Sequence, residues 1–243
     1  QMCIRDRLRS VYNQALERGV ATYVPRLFNK VHTGIDCPVK RAVSPEVICR
    51  LMTDRKPLPG KLAFSRDLFV LLFLLRGMPF VDLAFLRRCD LQGNVITYHR
   101  RKTSRKLTVV VGKEAMEIIQ KYMYAIPDSP YLFPIIQNPG KDEYGQYARM
   151  LRLQNYRLTQ VANILGIRDR LSTYTARHTW ATTALRQNYN SSLICDAMGH
   201  SSVKVTETYF QPYRDDEVNR MNSSLITYIL SKKKRGIDKK IRS

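Results

Sequence analysis

The longest uninterrupted apolar stretch of this 243-residue chain runs from Leu68 to Leu75 and stops at Arg76-Gly77. Such a run is far short of the roughly 20 residues a membrane-spanning helix needs, so it belongs in a protein core. Ser65 stands where an N-cap would sit, which predicts a strongly apolar helix from there through Leu75, broken at Arg76-Gly77 and restarted at Pro79. Two helices therefore meet at Arg76. Apolar residues make up 44% of the chain, enough to fill a sizeable core around that run.

The segments on either side follow the same helical habit, with one interruption. Ser44-Pro45-Glu46 is a helix start, with a capping residue, proline at the first helical position and an acid in the first turn. Val95, Thr97 and Leu107 to Val111 are β-branched or alternating and flank a basic stretch, Arg100 to Lys106, which predicts a hairpin with a positively charged loop. Beyond it, helical patterns cover 113–124, 143–165, 174–188, 191–198, 202–209 and 215–230. The expected fold class is α+β, mainly α-helical, with a small antiparallel β-sheet. Residues 8–18 form one further amphipathic helix stopped by Gly19, and residues 21–43 read as a basic linker. The expected division is thus 1–43, a main domain over 44–231, and a lysine-rich tail over 232–243.

Charge narrows the partner. The chain has 41 Lys and Arg against 20 Asp and Glu, a net +21. That excess suits a surface that neutralises phosphates and releases their counterions, so nucleic acid is favoured over a neutral partner. The five cysteines are scattered without a CxxC pair, which suggests neither a zinc site nor a disulfide framework. No apolar signal segment is visible, so a cytoplasmic protein without a membrane partner is expected. Gln1 precedes Met2, and the chain leads at once into what reads as the middle of a domain, as if the reading frame were truncated at its amino end.

The segment that carries chemistry is Ser172 to Tyr209, where STYTARHTW is followed by MGHSSVKVTETYF. Arg177 precedes His200 by 23 residues, and His200 precedes Tyr209 by nine. This order and spacing resembles the second box of the tyrosine recombinase (phage integrase) family, in which an arginine, a histidine after glycine and a nucleophilic tyrosine follow one another in this way. The resemblance covers about residues 44–230, with residues 8–35 similar to the last helix and linker of the family's helical core-binding domain.

The resemblance implies a tyrosine recombinase catalytic-domain fold and a site-specific recombinase that cuts and rejoins DNA through a covalent 3′-phosphotyrosine, without a metal or other cofactor. It implies a homo-tetramer bridging two duplexes of double-stranded DNA. Residue by residue, Tyr209 is the nucleophile. Arg177 holds nonbridging phosphate oxygens with a fixed guanidinium fork. His200 donates to those oxygens or assists the tyrosine proton. Lys102, in RRKTSRK on the expected hairpin, matches the lysine that protonates the leaving 5′ oxygen, with Lys106 as a rival. Arg100, Arg101, Arg105 and Lys106 read as contacts to the DNA backbone, which set register.

Two departures qualify the resemblance. The family's first box places an arginine three residues before an acid; here Asp82 is the acid and Pro79 occupies the arginine's position. Arg76, three residues earlier in the inter-helix turn, is the replacement this sequence offers; the alternative is a helix C-terminal arginine answering the dipole. This variant resembles integrases of mobile elements in the Bacteroidetes group. Tyr174 stands where many members have histidine, so it can hydrogen-bond a phosphate but cannot act as an imidazole does. Two other functions stay open: a DNA-binding relic without cleavage, and a type IB topoisomerase, which shares the chemistry.

Overall fold

The computed structural model describes residues 2–25, 27, 42–207, 220 and 222–227. The chain divides into two compact units, residues 1–40 and 41–243. In the first, α1 (Met2–Glu17) begins earlier than the expected residue 8 and stops before Gly19, whose φ of 67° is left-handed. The Tyr12 hydroxyl donates to the Thr22 carbonyl at 3.2 Å and accepts from the Val24 N–H at 2.8 Å, folding the chain back along the helix end.

The second unit is built around one apolar helix. It comprises α2 (Pro45–Thr53), α3 (Gly60–Leu74), α4 (Phe80–Ala84), a sheet of β1 (Leu91–Gln92), β2 (Val95–His99) and β3 (Lys106–Val110), then α5 (Lys113–Tyr122), α6 (Glu143–Leu165), α7 (Thr173–Arg186), α8 (Ser191–Met198) and α9 (Val203–Glu207). Residues 67–72 of α3 are all buried, and α3 packs against α6, α7, α2 and α5. Each fully buried leucine or phenylalanine there contributes about 1.5–3 kcal/mol of burial. The helix starts at Gly60, five residues before the expected Ser65, because the Pro59 carbonyl takes the first N–H groups, Leu62 and Ala63, at 2.8 and 2.9 Å. Ser65 instead lies wholly buried in the helix, its carbonyl accepting from Gln154 Nε2 of α6 at 2.8 Å.

The break after α3 is a pair of left-handed residues, Arg76 at φ 60° and Gly77 at φ 66°. The N–H groups of Gly77 and Met78 close the helix on the carbonyls of Phe73 and Leu72, at 3.4 and 3.1 Å. Pro79 then precedes the five-residue α4. The sheet is antiparallel in the order β1-β2-β3, with Ile96 opposite Val109 and His99 opposite Lys106. Alternation puts Ile96, Tyr98 and Val109 in the core and leaves Val110 on the outside. Strand β1 was not anticipated.

The caps of α6, α7 and α8 are side chains, Asp142, Ser172 and Asn190, each accepting an N–H of the first turn. Between α5 and α6, residues 123–142 are irregular yet carry the buried Tyr131, Leu132, Phe133, Ile135 and Ile136. Several cations of this unit close the fold by donating to main-chain carbonyls. Arg88 reaches Pro127 O at 2.6 Å and Ile126 O at 2.5 Å, Lys56 reaches Ile164 O at 2.7 Å, and Arg50 reaches Leu165 O.

Candidate active site

A cavity of about 450 Å³ opens where α4, α6, α7, the β2–β3 loop and the α8–α9 turn converge. Asp82, Arg100, Lys102, Tyr174, Arg177 and His200 line it, with Tyr147 and Asn155 of α6 as its far wall. Arg177 and His200 are 97% and 96% buried, so the cavity has a fixed polar floor.

Two glycine turns set that floor. At Gly77, whose φ is 66°, an added Cβ would lie 3.1 Å from the Arg177 Cα and 3.3 Å from its Cγ, so glycine lets the α3–α4 turn pass close over α7 without strain. The Gly77 carbonyl in turn accepts from Arg177 Nη1 at 2.5 Å. At Gly199, with φ 63°, a Cβ would come within 2.8 Å of a Leu107 methyl and 3.2 Å of the Arg100 Cδ, so the hairpin and the α8–α9 turn also meet on a glycine. The Gly199 carbonyl accepts from Arg100 Nη1 and, at 3.3 Å, from the Thr103 hydroxyl. Arg105 reinforces the junction, donating to the His200 carbonyl at 3.3 Å and to Asp196 at 2.9 Å.

Arg177 Nη2 bonds the Met198 carbonyl at 3.0 Å and stands 2.7 Å from His200 Nε2. A guanidinium has no lone pair to offer, so Nε2 is the acceptor and the ring proton sits on Nδ1. Nδ1 then donates to the Thr206 hydroxyl of α9 at 2.8 Å. Burial, reinforced by the positive charges of Arg177, Arg100 and Lys102, pulls the His200 pKa down to about 3. The imidazole is therefore neutral at pH 7, with its ring lone pair on Nε2 turned to Arg177.

Asp82 is 97% buried. Its Oδ1 accepts from the Arg101 N–H at 3.0 Å, and its Oδ2 lies 3.9 Å from Arg100 Nε. Burial raises its pKa, opposed by the Arg101 N–H and by the charges of Arg100, Arg177 and Arg101.

The structure thus brings together Arg177, His200, Lys102, Tyr174 and Arg100 of the sequence-derived residues. Tyr174 is half-exposed and packs edge-on against the His178 ring, centroids 4.4 Å apart. Lys102 is exposed at the cavity mouth, whereas its rival Lys106 begins β3 opposite His99 and is not in the lining. Arg101 stacks on the Phe85 ring, 3.8 Å from its centroid. Arg76 is placed elsewhere. It donates to the Thr108 carbonyl at 3.2 Å and borders a separate cavity of about 520 Å³ with Phe73, Trp180 and Leu193. Tyr209 lies outside the described residues, two positions after the end of α9. Sequence reasoning missed the burial of Arg100 beside Asp82 and the Thr206 bond to His200; no local pattern marks either.

The family model of the phage integrase family matches residues 42–215. The chain is 26% identical over 167 residues to a protein named tyrosine recombinase XerC from Thermodesulfovibrio yellowstonii, a match covering 63% of this chain and 52% of the relative. The chain thus spans about half the length of that curated relative. Among solved structures it is similar to the Tn1549 transposon integrase in complex with a circular intermediate DNA, with a TM-score of 0.63 at 15% identity over 89% of this chain and 76% of the other. The XerA recombinase gives 0.56 at 19% over 88% and 72%, and a lambda integrase dimer bound to a COC′ core site gives 0.56 at 13% over 88% and 76%. At these identities the structural likenesses establish the fold, that of a tyrosine recombinase catalytic domain.

Proposed function

Because the chain belongs to the phage integrase family, we propose that it is a site-specific recombinase that cleaves and rejoins double-stranded DNA through a 3′-phosphotyrosine at Tyr209. The observation that carries this reading is the buried contact of Arg177 with the neutral His200, with Lys102 across the same cavity. A phosphodiester entering there meets a guanidinium able to bond its nonbridging oxygens. The Tyr209 oxygen attacks phosphorus, its proton passes to His200 Nε2 as the phosphate draws the Arg177 guanidinium off that atom, and the P–O5′ bond breaks as Lys102 delivers a proton to the leaving oxygen. The phosphotyrosine keeps the phosphodiester energy, so a 5′ hydroxyl of another strand reverses the step without ATP.

Residues 44–231 form the catalytic domain in this reading, residues 1–43 the end of a helical core-binding domain with its linker, and residues 232–243 a basic tail. Arg101, Arg105, Lys106 and Tyr174 are DNA contacts beside the cavity. A homo-tetramer bridges two duplexes, and the helical residues 222–227, with Leu225 and Ile226 about half exposed, offer an apolar strip for a neighbouring protomer.

A nicked suicide duplex carrying the recombination site of the element that encodes the chain tests the reading. Wild-type protein is expected to form a covalent adduct, and Tyr209→Phe to form none while binding DNA equally well. A DNA-binding relic, which the outward course of Arg76 favours, binds the duplex but forms no adduct in either case.

A further inference from the structure

The resemblance calls for two arginines around the scissile phosphate, and the α3–α4 turn supplies neither: Pro79 holds the expected position, and Arg76 leaves toward the Thr108 carbonyl. Yet the cavity contains a second guanidinium. Arg100, the residue after β2, is 93% buried and lines the same 450 Å³ space as Arg177 and His200. We infer that Arg100 is a catalytic residue, the second guanidinium that holds the scissile phosphate, delivered from the hairpin instead of from the α3–α4 turn. This assignment rests on the recombinase reading above.

Three observations carry it. First, Arg100 is hydrogen-bonded at one corner among the described residues: Nη1 donates to the Gly199 carbonyl, Nε makes no hydrogen bond and has only the Asp82 carboxylate at 3.9 Å, and no hydrogen bond uses Nη2. A buried guanidinium with one hydrogen bond and one long ion pair is incompletely satisfied, and an anion in the cavity can complete its bonding. Second, Asp82 Oδ2 is likewise unbonded and stands 3.9 Å from that Nε, so the acid that should follow the missing arginine faces Arg100 instead. Asp82 is then a positioning residue that orients the guanidinium from behind. Third, the hairpin is fixed at the Gly199 turn through Arg100, Thr103 and Arg105, so the guanidinium is carried on the same rigid junction as His200.

In the cleavage step Arg100 exchanges no proton. It bonds a nonbridging oxygen whose negative charge grows as the Tyr209 oxygen adds to phosphorus, and that charge declines again as the P–O5′ bond breaks.

A charge-neutral methylphosphonate at the scissile position separates this role from a structural one. On the phosphodiester, Arg100→Ala is expected to form adduct about 100-fold or more slowly than wild type, and Arg76→Ala within about threefold. On the methylphosphonate, whose charge no longer needs neutralising, Arg100→Ala is expected to come within about tenfold of wild type. Slow reaction of Arg100→Ala on both substrates, wild-type rates on the phosphodiester, or the rescue pattern appearing in Arg76→Ala would each overturn the assignment. If Arg100→Ala does not fold by circular dichroism, Arg100→Lys keeps the charge near Asp82. It is expected to slow phosphodiester cleavage by about tenfold with the same rescue, and an unaltered rate overturns the assignment. Absence of adduct from the wild type on the phosphodiester overturns the recombinase reading and this assignment with it.

Discussion

The turns at Gly77 and Gly199 perform the same local task and differ in what they bring to the cavity. Each is a left-handed glycine against which an arginine-bearing element packs, and each carbonyl accepts from a guanidinium, Arg177 at Gly77 and Arg100 at Gly199. The Gly199 turn also carries His200 into the cavity. The Gly77 turn carries Arg76 away from it, because a left-handed residue at φ 60° ahead of the glycine directs its side chain toward β3. A turn can therefore keep its packing role while its own arginine is directed elsewhere.

The comparison breaks most visibly at Arg177, the residue the Gly77 turn covers. Arg177→Ala is expected to slow adduct formation on a suicide duplex by about 100- to 1,000-fold with smaller change in DNA affinity. Equal loss in both would make the residue a binding contact only. Next in size is a pH effect at the other turn. His200 has an ordinary pKa of 6.5 and about 3 in the fold, so the unfolded chain binds the proton first. Stability is expected to be full above about pH 6.5 and to fall as the pH drops toward 3, and His200→Gln is expected to flatten that part of a thermal-melt series. A wild-type slope retained in the variant would place the titrating group elsewhere.

Smaller again are the glycines themselves. Gly77→Ala is expected to cost about 1–3 kcal/mol in urea unfolding, since the new methyl meets the Arg177 backbone as well as an unfavourable φ. Gly199→Ala should cost less, because the nearest atom is the far end of Leu107, which can turn aside. The reverse order would show that the hairpin junction is the stiffer of the two. Smallest is Asp196→Ala, which frees Arg105: the pair is exposed, so about 0.2–1 kcal/mol is expected. A larger loss would mean that this contact holds the hairpin against the His200 turn.

Much of this arrangement is legible in the chain. The bounds of α6 and α8 follow from periodicity and caps that agree, and Arg177 and His200 follow from type and spacing. The departures have physical causes. An unbroken apolar run such as Leu68 to Leu75 has no period to mark where its helix begins; α3 starts at Gly60, after Pro59, and Ser65 is a buried interior residue. The two-residue β1 is too short to alternate, and the buried segment through Phe133 and Ile136 has no period because its contacts are long-range. Arg100 reads as one cation among several in RRKTSRK; its burial depends on Asp82, 18 positions earlier, and Gly199, 99 positions later. The direction of Arg76 depends on a backbone sign that residue type does not disclose.

The cations that donate to carbonyls bear on how the net charge of +21 should be read. Arg50, Lys56 and Arg88 each hold a main-chain oxygen away from the cavity, whereas Arg100, Arg177 and Arg105, which also hold main-chain oxygens, stand at it or beside it. The ions released when a duplex binds come from its own phosphates, and a side chain turned onto the protein's carbonyls away from the cavity displaces none of them. The slope of log affinity against log salt, which counts phosphates newly neutralised, will therefore report a footprint well below the formal excess of positive side chains.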